Sequence, residues 1–279
     1  MSQTTAAGPR SKGLLTPHAG APVTVERRFP GEAAAAFARH YWLPRWRLTA
    51  GTDIRQAVLE YPTANLVVEP DAVLLHRASR GLSTRTLRGE GWAFGVMLRP
   101  GTARGWTGAS LRGLPAALPA TALVPEAAAA IAAASAPIRE RMDAGDDSGA
   151  IDAFEAAITG LPAPGADAEL VDAIVATVED DRELLRVEQL ADRFDLSVRS
   201  LQRLVAGHIG FGPKWLIQRY RLQEAAAALR SDAPPPIGLL AAELGYADQA
   251  HFTREFRAVV GSTPGAYAAQ VAAEREAAR

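Results

Sequence analysis

Near the C-terminus, the stretch GYADQAHFTREF (245–256) sets Gln249, His251, Thr253 and Arg254 around an apolar pair, Phe252 and Phe256. Amide, imidazole, hydroxyl and guanidinium groups are hydrogen-bonding groups of defined geometry. Around aromatic anchors they make either an ordinary solvated helix face or a surface that reads another molecule. A comparable set lies upstream, where Arg199, Ser200, Gln202 and Arg203 surround Leu201 and Leu204. Between Arg193 and Arg221 the basic residues are Arg193, Arg199, Arg203, Lys214, Arg219 and Arg221, against a single acid, Asp195. The formal net charge of the chain is only −1. Bulk charge therefore argues against a polyanionic partner, while this local cationic strip argues for one.

Other chemistry finds little support. The chain has no cysteine, which excludes disulfides, thiolate metal sites and cysteine nucleophiles. Neither GxGxxG nor GxxxxGK[ST] occurs, so no phosphate-cradling loop is visible. His40 and His76 are the only histidines of the β-like region, and no HxH or HExxH spacing exists. A metal site would have to borrow Asp53, Glu60 or Glu69 from separate strands, and nothing singles these out. No cofactor, metal or enzymatic activity is expected. MSQTTAAGPRSKG at the N-terminus lacks the apolar core of a signal peptide. No apolar run approaches the roughly 18 residues needed to cross a bilayer. A cytoplasmic protein without membrane contact is the expectation.

A second cluster, His40, Trp42, Arg45, Trp46, His76, Trp92 and Trp106, lies in the N-terminal half. Of these, His40, Trp42, Trp46, His76 and Trp92 are the candidates for lining a small-molecule pocket, which is typically apolar with a few polar groups. The competing reading places each tryptophan in a core and each histidine in a structural role.

The elements that must position these residues follow from punctuation and periodicity. With 279 residues, two domains are favoured. Residues 1–20 lack periodicity and read as a mobile tail. From about 22 to 115, short runs such as QAVLEY, NLVVE, AVLLHRA, STRTLR and WAFGVMLRP alternate with Pro, Gly and Asp. That spacing suggests a meander, sandwich or small barrel. Composition turns helical over 116–160, and LPAPGAD (161–167) reads as a linker. From 168 onward helices are expected near 187–194, 197–208, 213–230, 237–244, 248–259 and 264–275. The fold class expected is α+β: a β-rich barrel- or sandwich-like sensor or dimerisation domain with trailing helices (21–164), then an all-α domain (165–279).

The helical region repeats one device. VEQLADRFDLSVRSLQRLV (187–205) and IGLLAAELGYADQAHFTREF (237–256) each place a short helix with a central alanine, Ala191 or Ala241, before a tight turn and a longer helix. This is a helix-turn-helix pattern in tandem. Gly245 supplies the positive φ such a turn needs. The segment from about 168 to 271 resembles the DNA-binding domain of the AraC/XylS family of bacterial transcription regulators. The resemblance is carried by the two units, GFGPKW (210–215), RLQEA (221–225) and GSTPGAY (261–267). The chain departs from that pattern at Val205, where an aromatic is usual, and in the Pro-rich insert SDAPPP (231–236). FGVMLRPG (94–101), with YWLPRW (41–46) upstream, is similar to the uncharacterised sensor-like domains fused to such DNA-binding domains.

The resemblance implies two recognition helices entering adjacent major grooves. Ser197, Arg199, Ser200, Gln202, Arg203, Lys214, Gln249, Ala250, His251, Thr253 and Arg254 are the residues it places toward DNA. Arginine suits guanine O6 and N7, and glutamine suits adenine. Ser197 and Asp248 read as helix N-caps. Arg219 and Arg221 join Lys214 as candidate phosphate contacts. The expected partners are double-stranded promoter DNA, a small-molecule effector or a protein signal at the N-terminal domain, a second copy of the chain and RNA polymerase. The alternative is a helical protein-interaction module fused to a β-domain enzyme.

Overall fold

The computed structural model describes residues 23–277. The expected tail at 1–20 lies outside them. The N-terminal half builds β1 (Val23–Arg28), β2 (Ala38–Arg47), β3 (Asp53–Val58), β4 (Asn65–Val68), β5 (Val73–His76), β6 (Ser83–Arg88), β7 (Glu90–Trp92), β8 (Phe94–Leu98) and β9 (Ala117–Pro119). A short helix α1 (Thr102–Thr107) precedes β9. Then come α2 (Pro125–Asp143), α3 (Asp147–Ile158), α4 (Ala166–Asp180), α5 (Val187–Arg193), α6 (Val198–Ile209), α7 (Pro213–Leu229), α8 (Ile237–Glu243), α9 (Gln249–Val260) and α10 (Pro264–Ala277).

The strands form a seven-stranded sheet in the order β1-β2-β8-β4-β5-β9, with β7 also paired to β2, and a separate ribbon of β3 and β6. The path ends at β1 on one side and β9 on the other, so the sheets are not closed into a barrel. One sheet face packs on α2 and α3 through Tyr41, Leu43, Leu66, Val68, Phe94 and Val96 from the strands, and Ile131, Ile138 and Phe154 from the helices. The opposite face looks toward the β3–β6 ribbon.

Helix α7 organises the C-terminal half. Its N-terminal residues Leu216, Ile217 and Tyr220 share a core with Leu190, Ala191, Leu201 and Val205 of α5 and α6. Its C-terminal residues Leu222, Ala225, Ala226 and Leu229 share another with Leu240, Ala241, Phe252 and Phe256 of α8 and α9. Both cores also take residues from the β-rich half: Tyr61 and Met97 enter the first, and Leu59 the second. The Leu59 side chain is fully buried there. Truncating such a side chain removes transfer free energy and leaves a cavity. Leu59→Ala is therefore expected to lower unfolding stability by roughly 2–5 kcal/mol. Denaturant unfolding followed by circular dichroism checks this, and an unchanged midpoint would refute the placement.

Candidate functional site

The two helix-turn-helix units share one backbone device. In the first, the Leu196 N–H donates to the Ala191 carbonyl (3.0 Å), and in the second the Tyr246 N–H donates to Ala241 (2.9 Å). The residue four after each alanine carries the positive φ that closes the turn: 51° at Asp195 and 71° at Gly245. Glycine meets this requirement without a Cβ clash, and aspartate is one of the residues that tolerates it. Each longer helix then starts on a side-chain cap. Ser197 accepts from the Ser200 N–H (3.1 Å), and Asp248 accepts from the His251 N–H (2.7 Å).

The capped helices bury their apolar stripe and turn their polar face outward. On α6, Leu201 and Val205 are buried while Arg199, Gln202 and Arg203 are exposed, with Ser200 half-buried. On α9, Phe252 and Phe256 are buried while Gln249, Ala250 and Arg254 are exposed, with His251 and Thr253 partly so. Ser197, just before α6, and Lys214, at the start of α7, are exposed as well. His251 packs edge-on against Tyr246, with ring centroids 5.3 Å apart, and its Nε2 lies 3.4 Å from Glu255. Glu255 also accepts from Gln218 of α7 (2.9 Å), which fixes α9 on the central helix.

Two of the cationic-strip residues are not on this surface. Arg219 is 2% exposed. Its guanidinium donates to the Ser79 and Arg80 carbonyls (2.5 and 2.8 Å) and lies over the Trp215 ring. Burial lowers its pKa to about 10. Arg221 donates to the Leu185 carbonyl (3.0 Å) and reaches the Tyr246 ring, so it bridges the two units. Arg219 is not placed to meet a phosphate because it is buried against the β-rich half, and the half-buried Arg221 has its guanidinium engaged by Leu185 and Tyr246.

One helical turn beyond Arg219, the fully buried Gln223 donates to the Leu59 and Glu60 carbonyls (3.4 and 3.0 Å). Arg219 and Gln223 thus clamp α7 to two loops of the β-rich half. Around them, Asp172 of α4 pairs with Arg99 (2.7 Å), and Glu179 pairs with Arg39 (2.7 Å). This clamp was not legible as a functional feature. Its one sequence signal is a polar pair, Arg219 and Gln223, at i and i+4 on a helix otherwise apolar toward both units.

The segment Leu59–Tyr61 that meets α7 also borders a cavity of about 450 Å³ between the sheet and the ribbon. Strand alternation decides which side chains enter it. On β2, His40, Trp42, Pro44 and Trp46 line the cavity. Tyr41 and Leu43 face the helices instead. An irregularity between Ala38 and His40 shifts the register, so Ala38 joins Tyr41 on the core side. His76 of β5 lines the same cavity. Trp92 does not. It pairs with Arg45, on the helix-facing side, and its indole N–H donates to Asp143 (2.7 Å). Arg45 itself pairs with Asp147 (2.5 Å), and Trp106 packs on Phe37 in the core. His40 is 9% exposed, and burial, reinforced by Arg27 and Arg39, pushes its pKa down to about 3. Burial and Arg85 also lower that of His76, against the opposing pull of Glu60. Among the described residues no group of His, Asp and Glu is arranged to hold a metal ion. No described helix is long and apolar enough to cross a membrane.

Comparison with known proteins gives two family matches. Residues 190–270 match a family described as "Helix-turn-helix domain", and residues 26–115 match one described as a "Domain of unknown function". The chain is 36% identical over 92 residues to an HTH-type transcriptional activator RhaS of Escherichia fergusonii, covering 33% of each chain. It is 30% identical over 101 residues to an uncharacterised HTH-type transcriptional regulator of Haemophilus influenzae, covering 36% of this chain and 34% of the other. The chain thus spans about a third of the length of these curated relatives. Among solved structures, the C-terminal domain of AraT, a response regulator from Geobacillus stearothermophilus, matches 38% of this chain and 88% of its own at 22% identity and a TM-score of 0.35. ToxT from Vibrio cholerae matches 89% and 97% at 11% identity and a TM-score of 0.39.

The buried histidines make stability depend on pH. His40 takes up a proton near pH 6.5 when unfolded but only near pH 3 when folded. Between those values the unfolded chain binds more protons, so stability falls as pH drops through 6.5 and levels off near 3. From pH 7 to pH 5 this one group is expected to withdraw about 2 kcal/mol. His40→Phe should flatten the pH profile of the unfolding free energy by that amount. An identical slope in the variant would contradict it.

Proposed function

We propose that the chain is a sequence-specific regulator of transcription of the AraC/XylS type that binds promoter DNA, a reading supported by the helix-turn-helix match over residues 190–270. The observation that carries this reading is the pair of N-capped helices, α6 and α9, each anchored by a buried apolar stripe and each exposing a polar face. Arg199, Gln202 and Arg203 would read one major-groove segment, and Gln249, His251, Thr253 and Arg254 the next, with Ala250 offering an apolar contact to a thymine methyl. Lys214 and the free amides behind the Ser197 cap supply phosphate contacts. The cavity holds a small-molecule effector. A second copy of the chain, RNA polymerase and a cytoplasmic setting complete the reading, which includes no enzymatic step.

The effector's influence would pass through Leu59–Tyr61. That segment has the cavity on one side, while Leu59 and the carbonyls of Leu59 and Glu60 hold α7 on the other. A ligand that favours one position of this segment shifts the pose of both units, in proportion to its differential affinity for the two states.

Selection of bound duplexes from a random pool supplies the operator. Arg203→Ala is then expected to cost about 1–3 kcal/mol in operator affinity and to relax preference at one position. Wild-type binding should weaken steeply with salt. Unchanged affinity of the variant in a gel shift would remove Arg203 from the interface. Binding without sequence preference or salt dependence would favour a protein-interaction module.

A further inference from the structure

We propose that the cavity between the seven-stranded sheet and the β3–β6 ribbon takes a neutral, flat, largely apolar ligand of two or three fused rings, stacked on Trp42 and Trp46. The proposal rests on the effector reading above and specifies its chemistry. A cavity of about 450 Å³ falls within the range of small-molecule sites. Its floor is built to hold planar groups. A Cβ at Gly95 would lie 2.0 Å from the Trp42 ring, and one at Gly91 would lie 2.4 Å from the Trp46 ring. Each indole therefore covers a stretch of sheet that only glycine leaves bare. Their N–H groups are tied down as well, Trp42 to Asn65 Oδ1 (3.1 Å) and Trp46 to the Arg88 carbonyl (3.1 Å). The rings are oriented before any ligand arrives, which lowers the ordering cost of binding. Flat aromatic partners gain further from offset stacking on such rings.

The electrostatics of the walls exclude an ion. Glu69 is paired with Arg85 (3.1 Å), and Glu60 accepts from the Ser79 N–H and the Ser83 hydroxyl. These charges are already engaged, and so is Arg27 of the edge strand β1, which also lines the cavity. A charged ligand entering an apolar, tryptophan-floored space would lose its hydration without gaining an unpaired counter-ion. What the walls do offer is neutral hydrogen bonding. His76 Nε2 is buried without a hydrogen-bond partner, and the His40 imidazole lines the same space. Val58, Val67, Leu87 and Met97 complete an apolar enclosure. The ribbon pairs only β3 with β6, and two-stranded ribbons are marginal on their own.

Calorimetric titration of the full chain near neutral pH with three matched bicyclic probes tests the proposal: 2-naphthol, 2-naphthoate and 2-naphthylmethylammonium. The neutral probe should bind at least about tenfold more tightly than either ion. His40→Phe should weaken 2-naphthol by about three- to tenfold while leaving naphthalene unaffected, because it removes a hydrogen-bonding group and keeps a ring. Val67→Trp should abolish binding in a chain that retains the wild-type circular dichroism; if that variant does not fold, the charge series decides alone. Equal or tighter binding of an ion, or no heat from any probe at about 1 mM, overturns the proposal. A parallel gel shift separates the two readings. Operator binding intact with no probe bound removes only the ligand class, whereas probe binding without operator binding removes the regulatory function and leaves the ligand class standing.

Discussion

Helix α7 has almost no face to give to water, and the rest of the molecule is arranged around that fact. One end is the core of the first helix-turn-helix unit, the other end is the core of the second, and the side between them is pressed on the β-rich half. Two of its polar side chains, Arg219 and Gln223, are buried at that third contact. Burying a guanidinium and an amide is unfavourable unless they find partners, and here each finds a pair of backbone carbonyls belonging to loops at strand ends. Those carbonyls meet Arg219 Nη2 and Gln223 Nε2, while Arg219 Nη1 and Gln223 Oε1 stay buried without a partner. The relative pose of the two exposed polar faces is thus set by contacts that run through the β-rich half as well as through the helices themselves.

The second organising constraint is the parity of β2. A strand sends alternate side chains to opposite faces. Here one parity builds the core against α2 and α3, and the other builds the cavity floor from His40, Trp42 and Trp46. The same strand that stabilises the fold therefore furnishes the cavity floor, and small residues opposite the tryptophans, Gly91 and Gly95, make room for their rings. The cavity and the α7 contact meet at Leu59–Tyr61, so a physical path joins the two without passing through the core of either sheet.

Much of the C-terminal architecture was legible in the sequence because its boundaries are written in local chemistry. Ser197 and Asp248, read as N-caps from their types, cap α6 and α9. The turn glycine Gly245 was visible, but its counterpart Asp195 was not: an aspartate at positive φ carries no signal until the backbone is seen. In the N-terminal half, strands could be placed from punctuation, but their pairing could not. Trp92 was grouped with the cavity residues, and only the register that sets it opposite Arg45 shows that it faces the helices. Charge was similarly mute about burial. Arg219 looked like part of a cationic surface, and the carbonyls that receive it lie about 140 residues away in sequence.

The account stands most directly on two outward faces engaging one duplex at once. Hydroxyl-radical footprinting of the wild-type chain on its selected operator measures this. The account predicts two protected stretches on the same side of the helix, separated by roughly one turn of about 10 base pairs. A single protected stretch, with the face of α9 leaving no trace on the DNA, would contradict it.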